Sequence, residues 1–218
     1  MVSAVSKPYS DEDLALQLSR DLTWRIKEIS DLKSAVLLSD NIARPALLRA
    51  LVTVAYAHWE GHIKFSAQKY LTHVAMRKLA YSSLARQFFR NDFLPKLAAI
   101  GQKNFKERGE LVDAILDGGD RRFVHVNESL VNTKSNLNFE VLCDICRVCG
   151  TDPTIFVDYE NFIDVILLKR RNSIAHGEDT FVGLEDLNSL TEQTIGLMRM
   201  FSNDLQAKAH LGHYRATP

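Results

Sequence analysis

The sequence predicts an all-α protein, and three observations carry that expectation. Apolar residues recur at spacings of three and four along most of the chain, which is the period of an amphipathic helix. Residues that start or stop helices stand at the edges of those periodic stretches: Ser10 and Pro45 at starts, and Gly101, Gly118-Gly119, Gly150 and Gly177 at ends. The length of 218 residues fits one domain, or one domain with an insertion, at roughly 100–200 residues per domain. The expected organisation is a single helical domain over 1–207, with 120–138 an irregular insertion and 208–218 a frayed tail.

Ser10 with Asp13 three residues on reads as a capping arrangement, and Asp11, Glu12 and Asp13 suit the positive first turn. Leu14, Leu18, Leu22, Ile26 and Ile29 then mark one long helix to about Leu38, broken at Ser39-Asp40-Asn41. Pro45 belongs in the first turn of the next helix, where its missing N–H would be unpaired anyway. Leu48, Val52, Ala55, Trp59, Ile63, Ala67, Tyr70 and Val74 form its stripe. Two long helices joined by so short a break predict an antiparallel hairpin. Shorter helices follow over Leu84 to Ile100 and Glu107 to Leu116. Phe123 to Val126 has the pattern of a small strand, and Asn127, Ser129, Asn132, Ser135, Asn136 and Asn138 read as loop. An irregular stretch of this length is usually functional or mobile rather than packed. Phe139 to Cys149, Tyr159 to about His176 and Glu185 to about Leu205 complete the helices.

Lys and Arg number 27 and Asp and Glu 27, so the formal charge is zero. That excludes an all-over basic coat, and any phosphate contact must come from a local cluster. The best apolar run, Ala50 to Ala57, falls short of the roughly 18 residues of a membrane helix. The opening MVSAVSKPYSDED lacks the basic-then-apolar order of a signal segment, so a cytoplasmic protein is expected. Three cysteines are an odd count for a disulfide framework and fit a reducing compartment. No Gly-rich phosphate loop, Gly-x-Ser-x-Gly elbow or paired-carboxylate motif is visible, and no cofactor is expected.

One segment carries chemistry. Phe162 to Leu168 is apolar on nearly every side, as in a helix that is buried or shared between subunits. It changes abruptly to Lys169-Arg170-Arg171-Asn172, with His176 one turn later. At 100° per residue Val165, Leu168, Asn172 and His176 share a stripe that Arg171 flanks. Polar groups that continue a packing surface need partners, which points to a groove or interface. Arginine offers a permanent planar fork that matches two phosphate oxygens. Histidine can take a proton from a hydroxyl or return one. Together they could cleave RNA without a metal ion, with Asn172 orienting the His176 ring or touching the phosphate. The plainer alternative keeps Lys169 and Arg170 as solvated charges and His176 as a cation at a helix C-terminus. On spacing alone the plainer reading is favoured, because Arg and His five apart is a weak pattern.

Arg171-Asn172-Ser173-Ile174-Ala175-His176, followed by Gly177, resembles the R-x4-6-H motif of the HEPN superfamily in its RN-x3-H-G form. Ala57-His58-Trp59-Glu60-Gly61 is similar to the "AhWEg" segment of the MAE-like branch. Asn138 to Leu142, Cys149-Gly150 and Phe162-Ile163-Asp164 fit the surroundings of its motif, so the resemblance spans about Arg44 to Arg199. It implies a HEPN-like helical bundle that forms a homodimer, with two motifs facing one cleft. Members with the full motif are typically metal-independent endoribonucleases, many of them toxins or phage-defence effectors. It implies Arg171 as phosphate holder, His176 as general base or acid, Asn172 as polar helper, and Lys169 and Arg170 as RNA contacts. Glu60 would orient Arg171 by a charge-assisted bond, against the alternative of an exposed pair with Lys64. A cognate antitoxin or defence partner is implied alongside RNA. The alternative within the same resemblance is a non-catalytic module that binds RNA, a nucleotide or a protein.

Cys143, Cys146 and Cys149 form C-x2-C-x2-C, which suits zinc or iron–sulfur if a fourth ligand exists, His125 being only a guess. The spacing is also helical, and packing is the favoured reading. A metal-stabilised interaction protein built on these cysteines is a third, weaker reading. Trp59 and Tyr70 are expected in the core rather than as base-stacking platforms. Arg121, Arg122 and His125 read as a solvated loop before an extension of an RNA groove. His210 and His213 carry no partner motif.

Overall fold

The computed structural model describes residues 7–134 and 136–217. The signal-segment reading of residues 1–6, the loop reading of Ser135 and the tail reading of Pro218 lie outside the described residues. Ser10 caps α1 (Asp11–Leu38) as expected: its hydroxyl accepts from the Asp13 N–H at 3.1 Å and the Asp13 carboxylate accepts from the Ser10 N–H at 3.1 Å. Helix α2 (Arg44–Ala75) carries Pro45 in its first turn and returns antiparallel to α1. The direction follows from the contacts, since Asp21 meets His62 whereas Asp11, earlier on α1, meets His73, later on α2. Helix α7 (Asp186–His210) packs against both, and these three long helices enclose the main core. Trp59 and Tyr70 are fully buried there, beside Leu14, Leu18, Leu197 and Phe201.

The middle of the chain holds α3 (Arg86–Ala98), α4 (Phe105–Leu116) and α5 (Phe139–Cys149). Asn138 caps α5 through the Val141 N–H, and Gly150 ends it at φ +75°, where a side chain would be strained. Cys143, Cys146 and Cys149 recur every third residue on its inner face, and all three are free, buried thiols. Burial pushes each thiol upward, which keeps it protonated and unreactive. Among the described residues no group of three or more His, Cys, Asp or Glu is placed to share a metal ion.

Three expectations are corrected. Phe123 to Val126 forms no strand; only an isolated antiparallel bridge joins Ala80 to Arg122, because Val124 and His125 face solvent and no neighbouring strand continues the ladder. The 120–138 stretch is irregular yet packed, since Phe123, Val131 and Leu137 are buried. The tail is docked rather than frayed. Helix α7 continues to His210, Tyr214 is buried edge-on against His73, and the 214–216 backbone bonds to Ser83 and Ala85. No described helix is long and apolar enough to cross a membrane.

The segment before the motif differs in kind from expectation. Phe162–Lys169 is π-helical and runs directly into the short α6 (Arg170–Ala175). Its buried residues, Phe162, Ile163, Leu167 and Leu168, repeat every five positions, which is the period of i→i+5 bonding. The helix is therefore apolar toward one side only. Val165 stays 42% exposed, so the expected Val165–Leu168–Asn172–His176 stripe does not form. Asp164 turns toward α5 and accepts from the Phe139 N–H at 2.7 Å.

Candidate functional site around Arg171

Arg49, Tyr56 and Glu60 lie seven and four residues apart, so they share one face of α2, and that face meets α6. The Arg171 guanidinium lies 4.0 Å from the centre of the Tyr56 ring, a cation–π distance. Its Nη2 is 3.9 Å from Glu60 Oε2, with both side chains about one-fifth exposed. Glu60 thus faces Arg171. Across 3.9 Å the contact is an ion pair rather than a direct hydrogen bond.

Tyr56 is fixed in turn. Its hydroxyl accepts from the Leu137 N–H at 2.6 Å, which ties the irregular 120–138 stretch to the wall of the site. Burial raises the phenol above its ordinary range and the Glu60 carboxylate adds to this, against the opposing pull of the Leu137 N–H and Arg171. The ring therefore stays neutral and serves as a platform. Arg49, two turns earlier, donates to the Glu178 carbonyl at 3.0 Å and lies 3.7 Å from Asp179. It holds the loop that leaves His176. The sequence reading singled out neither Tyr56 nor Arg49, although their spacing from Glu60 was readable.

The other expected residues separate. Asn172 donates to Asn136 Oδ1 at 3.2 Å, so its amide reaches the irregular stretch rather than the His176 ring. Arg170 pairs with Asp186 at 2.7 Å in the first turn of α7. Lys169 is exposed. His176 closes α6 as its C-terminal cap and is exposed, followed by Gly177 at φ +79°. Arg171 and His176 are five residues apart, about 140° around a helix, so one chain points them in different directions.

The Ala57–His62 segment has a use on each side of α2. Trp59 enters the core and Glu60 faces Arg171, while His58 and His62 point to α1. There Arg25 donates to both carboxylate oxygens of Asp21 at 2.8 and 3.1 Å, and His62 Nδ1 lies 2.7 Å from Asp21 Oδ2. Arg25 also donates to the His58 carbonyl at 3.4 Å, and His58 Nε2 sits 2.9 Å from the Glu28 carboxylate. Gly61 leaves the room, since a Cβ there would lie 2.6 Å from Arg25 Nη1. This buried ionic cluster fixes the register of α2 against α1, and so the place of Glu60 on the opposite face. Arg121, Arg122 and His125 stand apart from it, with Arg121 paired to Asp92 and Arg122 bonded to the Lys78 carbonyl.

Comparison with known proteins agrees with this architecture. The family model of RiboL-PSP-HEPN matches residues 20–207, which takes in α2, the π-helical segment, α6 and nearly all of α7. No curated protein and no solved structure gives a significant match. The sequence resemblance had pointed to the HEPN superfamily through its MAE-like branch, and the matched family bears out the superfamily. The chain belongs to the RiboL-PSP-HEPN family of HEPN domains.

Proposed function

We propose that this protein is an endoribonuclease whose reaction is carried by Arg171, His176 and Asn172 and requires no metal ion. In that reaction His176 takes the proton from a ribose 2′-OH, and the freed O2′ bonds to the adjacent phosphorus. The P–O5′ bond breaks, O5′ receives a proton, and the products are a 2′,3′-cyclic phosphate and a 5′-hydroxyl. Arg171 holds the phosphate as charge builds on its oxygens. The observation that carries this reading is the seating of Arg171, with its guanidinium stacked on Tyr56 and faced by Glu60. A cation held in place before substrate arrives loses less freedom when phosphate binds.

Because Arg171 and His176 diverge on one chain, the proposal includes a homodimer in which each motif completes the other's cleft. Lys169, exposed beside the motif, would contact the RNA backbone, and Arg170 would do so from its pair with Asp186. A cytoplasmic toxin or defence effector with a cognate antitoxin or partner protein is the setting that fits. RNA incubated with the protein in EDTA should yield 2′,3′-cyclic phosphate ends, lost in Arg171→Ala and His176→Ala at unchanged helicity. Cleavage that survives both substitutions removes the assignment.

The exposure of His176 and the turn of Asn172 toward Asn136 favour one second reading, a non-catalytic module that binds RNA or a nucleotide. It predicts salt-sensitive RNA retention without product over a range of RNAs.

A further inference from the structure

Helix α4 carries three of its large apolar residues on the outside. Phe105, Gly109, Val112 and Leu116 fall on one stripe, and Phe105 is 92%, Val112 50% and Leu116 75% exposed. The helix is anchored mainly by Leu111, on another face, and by the turn that follows it. A helix of 12 residues is marginal in water without a packed face. Gly109, in mid-helix, lowers its stability further, and among the described residues nothing beyond its own stretch of helix lies within 4 Å of where a Cβ would be. Nothing inside the chain calls for that glycine, whereas close approach of a second helix would.

The charges of α4 say which helix fits. In an antiparallel pair of two α4 helices centred between Glu110 and Leu111, Phe105 faces the partner's Leu116 and Gly109 faces the partner's Val112. A twofold axis brings like flanks together, so Lys106 falls opposite the gap between the partner's Asp113 and the partner's Asp117. All three residues lie on the same flank of the stripe at 100° per residue. The helix is thus basic at its start and acidic at its end on the flank that such a pair buries. Among the described residues of its own chain Lys106 reaches only the exposed Glu110, at 3.8 Å.

We propose that α4 is a self-association surface, pairing antiparallel with α4 of a second copy of this chain across a twofold axis. The surface is separate from the Arg171 face of α2 and α6 and does not depend on the ribonuclease reading. If both faces are used, two different twofold contacts make a closed tetramer or an open chain of copies.

Molar mass by light scattering, on the full chain at micromolar concentration, tests this. Val112→Glu with Leu116→Glu, both at exposed positions, should cut the mass of the wild-type assembly to half or less with circular dichroism unchanged. Lys106→Glu alone and Asp113→Lys with Asp117→Lys alone should each do the same. Mixing those two charge variants in equal amounts should restore the wild-type mass, because each contact of position 106 with positions 113 and 117 then joins opposite charges. Equal mass for wild type and Val112→Glu/Leu116→Glu overturns the proposal. So does a mixture of the charge variants that stays at the reduced mass, which would mean that another partner or another pairing covers the face.

Discussion

Replacing Asp21 by Asn removes one charge from the interior between α1 and α2 while keeping the side chain's shape. The carboxylate receives two N–H groups of Arg25 at 2.8 and 3.1 Å and lies 2.7 Å from His62 Nδ1. Asn cannot satisfy that set, and Arg25, with its side chain only 11% exposed, would keep an uncompensated charge. Breaking a buried pair from one side costs about 3–5 kcal/mol. The amide oxygen of Asn still accepts one bond, so about 3 kcal/mol is expected, a large part of the roughly 5–15 kcal/mol that holds a domain folded. Urea unfolding should therefore move its midpoint by about 1 M at neutral pH.

The same substitution has a pH signature. Burial by itself would raise the Asp21 carboxyl, but its bonds with His62 and Arg25 outweigh this and hold it below its ordinary range. A depressed folded value stabilises the native state above the unfolded carboxylate's range and is lost as pH falls through the folded value. Asn does not titrate, so the gap between wild type and variant should be full at pH 7 and narrow in acid. A neutral-pH gap below about 1 kcal/mol, or one that fails to narrow between about pH 5 and pH 2, would refute the ionic-cluster account.

Two further outcomes follow from single contacts. Tyr56→Phe strands the buried Leu137 N–H and should lower stability by about 1–3 kcal/mol. It retains the ring under Arg171, so if the proposed ribonuclease activity is present, RNA cleavage by the folded protein should stay near wild type; a large loss of cleavage at full stability would show that the hydroxyl, not the platform, matters. Tyr214→Ala removes a buried ring from the docked tail and should cost on the order of 3 kcal/mol in chemical denaturation, whereas a free tail would give no change.

The legible parts of this protein are those set by local chemistry. The Ser10–Asp13 box and the Asn138 to Gly150 span of α5 are fixed by caps, and the α1–α2 hairpin by two stripes and a five-residue break. The order Arg171, Asn172, His176 was visible as a motif, and Glu60 was tied to Arg171 through the resemblance. Less legible was the π-helical Phe162–Lys169. Its buried pairs repeat every five residues, yet six apolar residues broken only by Asp164 look alike at any period, and the turn is chosen by which of them find the core. That choice moved Val165 to the surface and broke the expected stripe. The tail was opaque for a similar reason: Tyr214 gains its pocket from His73, about 140 residues earlier.

By itself the sequence determined the helices, their order, and which residue types stand near the motif, because caps, periods and charge are local properties. Only the tertiary structure decided what those residues do to one another. Tyr56 became a platform under Arg171 because the α1–α2 cluster sets the rotation of α2, and Arg170 was drawn to Asp186 because α7 begins beside it. Asn172 turned to Asn136 because Tyr56 pins Leu137 next door. These are contacts between segments far apart in the chain, fixed by which faces can be buried together. The zero net charge of the sequence is thereby resolved into local fields, with Arg171 faced by Glu60 at one site and, on α4, Lys106 near the start and Asp113 and Asp117 toward the end.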